Sequence, residues 1–205
     1  MSDTASHEGS STAVLDITLE FLTTELQAYL VRRTGAAGGE LGGVAPRRLV
    51  DDAGKYTLGD GQIGATLVHI EEERALKTSL PEATMVGGRP LLRPPPLNLN
   101  LHVLFAINFQ HYPTALRYLS LLLTFFQSHA SFSPAEFPRL DPRIDKLTVE
   151  LLPLTYEQLN QMWAFVGAKQ VPSAAYRVRM VSLQDAEPIA GGPPITSIHT
   201  ELLRR

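Results

Sequence analysis

The sequence predicts an α+β domain, a roughly four-stranded, mainly antiparallel sheet packed with about three helices. Three observations lead there. Residues 97–109, LNLNLHVLFAINF, place Leu97, Leu99, Leu101, Val103, Phe105, Ile107 and Phe109 on one side. Asn98, Asn100, His102 and Asn108 take the other, with Leu104 and Ala106 between them. Successive side chains of a strand point to opposite faces, so this period of two predicts a strand with one dry face. In LTYEQL, Thr155 stands three residues before Gln158, the reciprocal capping box of a helix start. Near the N-terminus Leu15, Leu19, Leu22, Leu26 and Tyr29 recur at three- and four-residue spacing, the stripe of an amphipathic helix.

In chain order, residues 1–12 (MSDTASHEGSST) are polar and predict a disordered lead. They lack the apolar core of a secretory signal. A domain is expected over 13–183 and a tail over 184–205. The first helix should end near Arg33, where the glycine-rich TGAAGGELGG begins. That stretch lacks the Lys-Ser/Thr ending of a phosphate-binding loop and reads as a linker. Residues 44–74 predict two or three short strands, with a turn at Asp52-Ala53-Gly54 and an apolar strand from Ile63 to Ile70. Residues 75–96 hold Pro81, Gly87, Gly88, Pro90 and three consecutive prolines, which predicts a long, partly extended loop.

After the 97–109 strand, Pro113 suits a first helical turn. Leu116, Leu119, Leu122, Leu123 and Phe126 then mark an apolar helix ending near His129. A proline-rich connection leads to IDKLTVELL, where Leu147, Val149 and Leu151 alternate with Lys146, Thr148 and Glu150 in a half-buried strand. The capped helix should bury Leu159, Met162, Trp163 and Val166, with Leu154 and Leu159 at the staple positions and Gly167 as the stop. AAYRVRMVSL gives a last strand, with Arg177 and Arg179 on one face and Tyr176, Val178 and Met180 on the other. In the tail, AEPIAGGPP is not expected to hold regular structure, whereas ITSIHTELLRR carries enough apolar residues, Leu202 and Leu203 among them, to dock. The core should include Leu97, Leu101, Phe105, Leu119, Leu123 and Trp163.

Composition narrows the functional classes. The 205 residues fit one domain with a sizeable interior. A net charge of −3 argues against a dedicated nucleic-acid binder, which carries a basic surplus. The chain has no cysteine, which excludes disulfides, iron–sulfur clusters and thiolate catalysis within it. Its apolar runs are far too short to span a bilayer, so no direct membrane insertion is expected.

No motif carries reaction chemistry. His69 and Glu71 share a strand face, but HIEEER lacks the HExxH order that sets two histidines on one helical turn. His102 and His111 lack a recognisable triad, and no serine sits in a G-x-S-x-G elbow. No catalytic residue, metal or cofactor is expected. Arg177 and Arg179 have forks that match phosphate oxygens, yet on an exposed strand they more commonly pair with acids. The run Glu71, Glu72, Glu73, followed by Arg74, is an available counterpart, within the chain or across an interface. The face bearing Asn98, Asn100 and His102 meets another chain, a covering loop, or water.

Several stretches in order, HIEEERALK, RPPPLNLNLHVLFAINF, YLSLLLTFFQ and LDPRIDKLTVELLPLTYEQLNQMWAFVGAKQVPSAAYRVRMV, resemble the cap, or tail-terminator, proteins of extracellular contractile injection systems. The resemblance runs over roughly residues 13–183. It implies a phage tail-terminator-like fold and a non-enzymatic building block. Such a protein forms a ring with itself, a hexamer, that ends inner-tube polymerisation and anchors the last sheath layer. It would assemble in the cytoplasm within a particle that is then released. Interface candidates are Glu71, Glu72, Glu73, Arg74, Arg93, Asn98, Asn100, His102, Arg177, Arg179, Leu202 and Leu203. The alternatives are a transient assembly adaptor of the particle and a small hydrolase using His102 or His111.

Overall fold

The computed structural model describes residues 14–35, 40–73, 82–86, 89–93, 95, 97–183 and 189–190. For 82–86, 89–93, 180–181, 183 and 189–190 it describes the backbone alone. Among the described residues three helices, α1 (Val14–Thr34), α2 (Tyr112–Ser128) and α3 (Tyr156–Val166), accompany nine strands. The strands are β1 (Gly43–Pro46), β2 (Gln62–Glu72), β3 (Glu82–Val86), β4 (Arg89–Arg93), β5 (Leu97–Asn108), β6 (Ser131–Phe132), β7 (Leu147–Leu151), β8 (Ser173–Leu183) and β9 (Ile189–Ala190).

The main sheet has six strands in the order β1-β2-β5-β8-β7-β6, not roughly four. Its class is as expected, but it is mixed. β1 and β2 run parallel, whereas the other neighbours are antiparallel. A parallel pair needs a long crossover. Residues 47–61 supply it, and they contain the expected turn: Val50 bridges Tyr56 across Gly54. Strands β1 and β6 escaped the periodicity reading because they hold only 4 and 2 residues, too few to show a repeat.

Two expectations about irregular segments are corrected. The 75–96 stretch, read as a loop, contains an antiparallel β3–β4 hairpin. AEPIAGGPP, read as unable to hold regular structure, contributes β9 alongside β4 in a second, three-stranded sheet. Pairing there satisfies backbone groups whatever the side-chain pattern, and Pro90 sits on a short strand where loss of one N–H is tolerated.

Helices α1 and α2 cover the inner face of the main sheet. Leu99, Leu101, Val103, Phe105 and Ile107 of β5 are buried there against Phe21, Leu22, Leu26 and Leu30 of α1, with Tyr118, Leu122, Phe125 and Phe126 of α2. The aromatic side chains meet edge-on or tilted, as ring quadrupoles prefer: Phe105 lies 5.2 Å from Phe126 and 5.9 Å from Tyr176. The α1 stripe is rotated from its leucine reading. Thr18 and Thr23 are buried on it because their hydroxyls return to the carbonyls of Val14 and Leu19 at 2.7 and 2.9 Å, while Leu15 and Leu19 flank it.

Leu101, Phe105 and Trp163 are core as expected, but Leu119 and Leu123 are only half-buried. Leu97 is 44 % exposed, because it begins β5 beyond the last helix that covers the face.

The outer face of β5 changes character along its length. Leu104 and Ala106, with Ala175 of β8, form a second core with Leu49, Leu58 and Trp163 of α3. The strand therefore has two dry faces in its C-terminal half. Gly64 of β2 permits this packing, since a Cβ there would lie 2.9 Å from a Leu58 methyl and 3.1 Å from one of Leu49. The expected capping box holds α3 in place: the Gln158 N–H donates to Thr155 Oγ1 at 3.2 Å, and the Thr155 N–H donates to Gln158 Oε1 at 3.0 Å. Gly167 ends the helix in the left-handed region, φ 72°, where a glycine has no Cβ penalty. Leu159, Met162 and Val166 are partly buried on the second core, and Trp163 alone of the α3 side chains is fully buried.

Candidate functional site

The other half of the outer face, beyond the cover of α3, gathers most of the charged residues singled out in the sequence. Two β-bulges arrange it. In β2 the pairing runs from Leu67↔Val103 to His69↔His102, leaving Val68 as an extra residue. Without that bulge, His69 and Glu71 would continue the inward series of Ile63, Ala65 and Leu67. With it, they turn outward beside His102 and Asn100, because an inserted residue inverts every later side chain. In β8 a second irregularity, between Leu99↔Val181 and Leu101↔Val178, sets Arg179 near Asn100.

The result is a polar row across four strands, His69, His102, Arg177 and Glu150. Beside it lie Glu71, Asn100 and Arg179, with Thr148 of β7 opposite Arg179. Arg179 lies between two carboxylates, 3.1 Å from Glu73 Oε2 and 3.4 Å from Glu150 Oε1. The hydrogen bond from Arg179 to Glu73 and the charge of Glu150 hold the guanidinium above its ordinary pKa. Glu73 also accepts from Asn100 Nδ2 at 3.1 Å and donates its own N–H to the Asn98 carbonyl at 2.9 Å. Asn100 is thereby buried at 6 % exposure, covered by its own chain.

His102 Nε2 stands 3.5 Å from both Glu71 Oε2 and Arg177 Nε. One nitrogen cannot donate to the carboxylate and accept from the guanidinium at once. Burial, then the charges of Arg177 and His69, push the His102 pKa below its ordinary value, while Glu71 opposes them. His102 is accordingly neutral near pH 7. The His69 and His102 rings meet edge-on at 5.2 Å. Among the described residues no group of three or more His, Cys, Asp and Glu side chains is placed to hold a metal.

Next to this cluster an open groove of about 510 Å³ runs between the sheet and α3. Its polar side is His69, His102 and Arg177; its apolar side includes Val68, Leu152, Leu154, Met162 and Phe165. Phe165 is 91 % exposed, and Tyr156 at the start of α3 is 94 % exposed. Of the 71–73 run, Glu73 thus pairs with Arg179 within the chain, and Glu71 stands against His102. Glu72 lies at the end of β2, half-buried. Arg93 ends β4 opposite Glu82. Asn98 is half-buried opposite Ser182. Arg74, Leu202 and Leu203 lie outside the described residues. His111 stands exposed at the N-cap of α2, on neither the cluster nor the groove.

Sequence reasoning missed two participants. Glu150 was legible, since LTVEL sets it on the polar face with Thr148. Phe165 was legible as the apolar residue off the Leu159, Met162, Trp163, Val166 stripe.

No helix among the described residues is long and apolar enough to cross a membrane. The architecture is an α+β one, with helices on both faces of a mixed sheet and a charged block on the outer face. It matches the sheath/tube terminator of PVC, an extracellular contractile injection system, in its extended state, with a TM-score of 0.62 and 15 % identity over 97 % of this chain. It also matches the tube-terminating cap of the anti-feeding prophage, with a TM-score of 0.53 and 18 % identity over 85 % of this chain. At those identities the likeness is one of fold, and the chain spans 65 % and 59 % of the two proteins' lengths. In sequence, the chain belongs to the Pvc16 N-terminal domain family, matched over residues 18–197. No curated protein matches it.

Proposed function

We propose that this chain is a structural terminator of a contractile injection particle. It forms a ring of identical copies, a hexamer, that ends polymerisation of the inner tube and anchors the last layer of sheath, without catalysing a reaction. The observation that carries this reading is family membership over residues 18–197, joined to a terminator fold along 97 % of the chain. Its partners are itself, tube protein and sheath protein. Neither nucleic acid nor a bilayer has a place in the role. Assembly takes place in the cytoplasm, within a particle that can be released from the cell.

The physics of a ring suits such a chain. A closed head-to-tail ring requires two different surfaces on each copy. The α3 side presents Tyr156 and Phe165 at 94 % and 91 % exposure, against 62 % for Tyr112 of α2, so the two sides of the sheet differ in exposed aromatic surface. In this reading the body, 13–183, builds the ring, and the tail, 184–205, with Leu202 and Leu203, reaches a neighbour together with Arg74 and Arg93. The charged block of Glu71, Glu72, Glu73, Asn98, Asn100, His102, Arg177 and Arg179 borders a contact.

Native mass spectrometry of the purified chain, alone and with tube protein, tests the reading directly. A discrete assembly of about six copies is expected, as closed symmetry requires, with a ring visible by electron microscopy. Deletion of the gene should give particles with tubes of abnormal length. A strict monomer in the presence of tube protein, together with normal particles from the deletion strain, overturns it.

A further inference from the structure

The two arginines on the outer face are not equivalent. Arg179 is held between Glu73 and Glu150. Arg177 is opposite Glu150 in the strand register, yet that carboxylate leans to Arg179. Among the described residues Arg177 meets no carboxylate, only His102 Nε2 at 3.5 Å, the far limit of a hydrogen bond. It is half-buried and lines the groove. A half-buried guanidinium with no carboxylate partner among the described residues, beside an apolar wall, is a site matched to an anion that brings apolar surface with it.

We propose that the groove between α3 and the outer sheet face receives an extended acidic–apolar segment of a partner protein. The segment's carboxylate lies on Arg177, and an apolar side chain packs against Phe165, Met162 and Leu152. Charge decides the occupant. The polar side offers one full cation, because His102 is held neutral, Glu73 and Glu150 are engaged by Arg179, and Glu71 stands against His102 at 3.5 Å. One guanidinium matches a single carboxylate in a two-pronged pairing, whereas a doubly charged phosphate calls for a cluster of cations. The wall of Val68, Leu152, Leu154, Met162 and Phe165 rewards apolar side chains next to that carboxylate. Gln158 and Gln161, also on the groove, offer donors and acceptors to the segment's backbone. The exposed Phe165 has the character of an interface anchor, an aromatic residue that closes over its ligand.

The proposal extends beyond the terminator reading and is tested on the purified chain, so a missing ring or absence from particles leaves it standing. The probe is a displayed library of random dodecapeptides selected on the full chain. Binders are then measured on the wild type, Arg177→Gln and Phe165→Ser. Both side chains lie outside the cores, and equal melting temperatures confirm that the variants are folded. Enriched peptides should carry Asp or Glu beside apolar residues and bind the wild type at least tenfold more tightly than either variant. Replacing the acidic residue by its amide in the peptide should give the same loss. Absence of enrichment, enriched peptides without an acid, or binding unaffected by both substitutions overturns the proposal. So does conversion of an oligomer to monomers by the same substitutions with no peptide selected, which would make the groove a seat for a second copy.

Discussion

The two faces of β5 share one backbone and one alternating register, yet they do different things. The inner face is dry from Leu99 to Ile107 and is sealed by aromatic side chains from two helices. The outer face is dry only where α3 covers Leu104 and Ala106; a few residues earlier it holds Asn100 and His102 in a charged network. The difference teaches where stability and recognition are separated in this fold. One face can be covered completely because nothing has to reach it. The other keeps a small core as the support for an open groove, so that Phe165 is presented from a helix whose opposite side is anchored by Trp163.

The contrast is tested most severely in the inner core. Phe105→Ala removes a fully buried ring that touches Phe126 and Tyr176, where rigid neighbours on both sides limit collapse. It should destabilise the chain by about 4–5 kcal/mol, read by chemical denaturation. Trp163→Ala should have a smaller effect, about 3 kcal/mol, because the second core is shallow and its neighbours can relax toward the groove. If Trp163→Ala equals or exceeds Phe105→Ala, the ranking of the two faces is wrong. Trp163 is the one tryptophan of the chain, so its fluorescence reports the α3 cover separately from the helical signal of the whole. Loss of Trp163 burial at lower denaturant than loss of helix would show that the cover opens first, as a low-stability unit. Coincident transitions would show that both faces unfold together.

Thr155→Ala sharpens the comparison at lower amplitude. It removes the side-chain acceptor of the α3 capping box, an effect of about 1 kcal/mol, lowering the melting temperature by about 2–4 °C. The loss should appear as faster amide exchange in α3 while α1 and α2 keep their protection. Uniformly faster exchange would mean that α3 is not separable from the main body.

The inner face was legible because burial by a helix leaves a periodic signature, and Leu101, Phe105 and the α2 stripe carry it. The capping box was legible because Thr155 and Gln158 interact with each other, three residues apart along one turn, and need nothing distant. The arrangement of the outer face was not. Leu104 and Ala106 interrupt the polar alternation, which hints at a second cover, but nothing local says that α3, fifty residues later, provides it. The bulge at Val68 is equally silent, since an extra residue in a strand has no composition of its own. Yet it decides whether His69 and Glu71 face helices or Arg177. The pairing of Arg179 with Glu73 is not fixed by the sequence, because residue order gives no measure of which arginine wins both carboxylates. The β3–β4 hairpin was hidden for a different reason: its backbone pairing tolerates the glycines and prolines that announce a loop.

The smallest expected effect concerns the charged half of the outer face. His102 has its pKa lowered from 6.5, first by burial, then by Arg177 and His69, against the pull of Glu71. In the unfolded chain the imidazole takes up a proton as pH falls through about 6.5, while in the folded chain it resists. The unfolded state then binds more protons, so stability falls as pH drops below about 6.5 until the folded pKa is reached. Above about 7 both states are neutral at this position and no dependence arises from it. His102→Asn keeps a hydrogen-bonding side chain and removes the titration. Denaturation at pH 7.5 and pH 5.5 should therefore show the wild type losing more stability on acidification than the variant. The reverse order, with the wild type gaining relative to His102→Asn at pH 5.5, would mean that the protonated imidazole is held by Glu71 more strongly than Arg177 and His69 repel it. The polar row would then behave as an ion pair with the acid on β2, and the outer face would be a charge lock in place of a cationic margin to the groove.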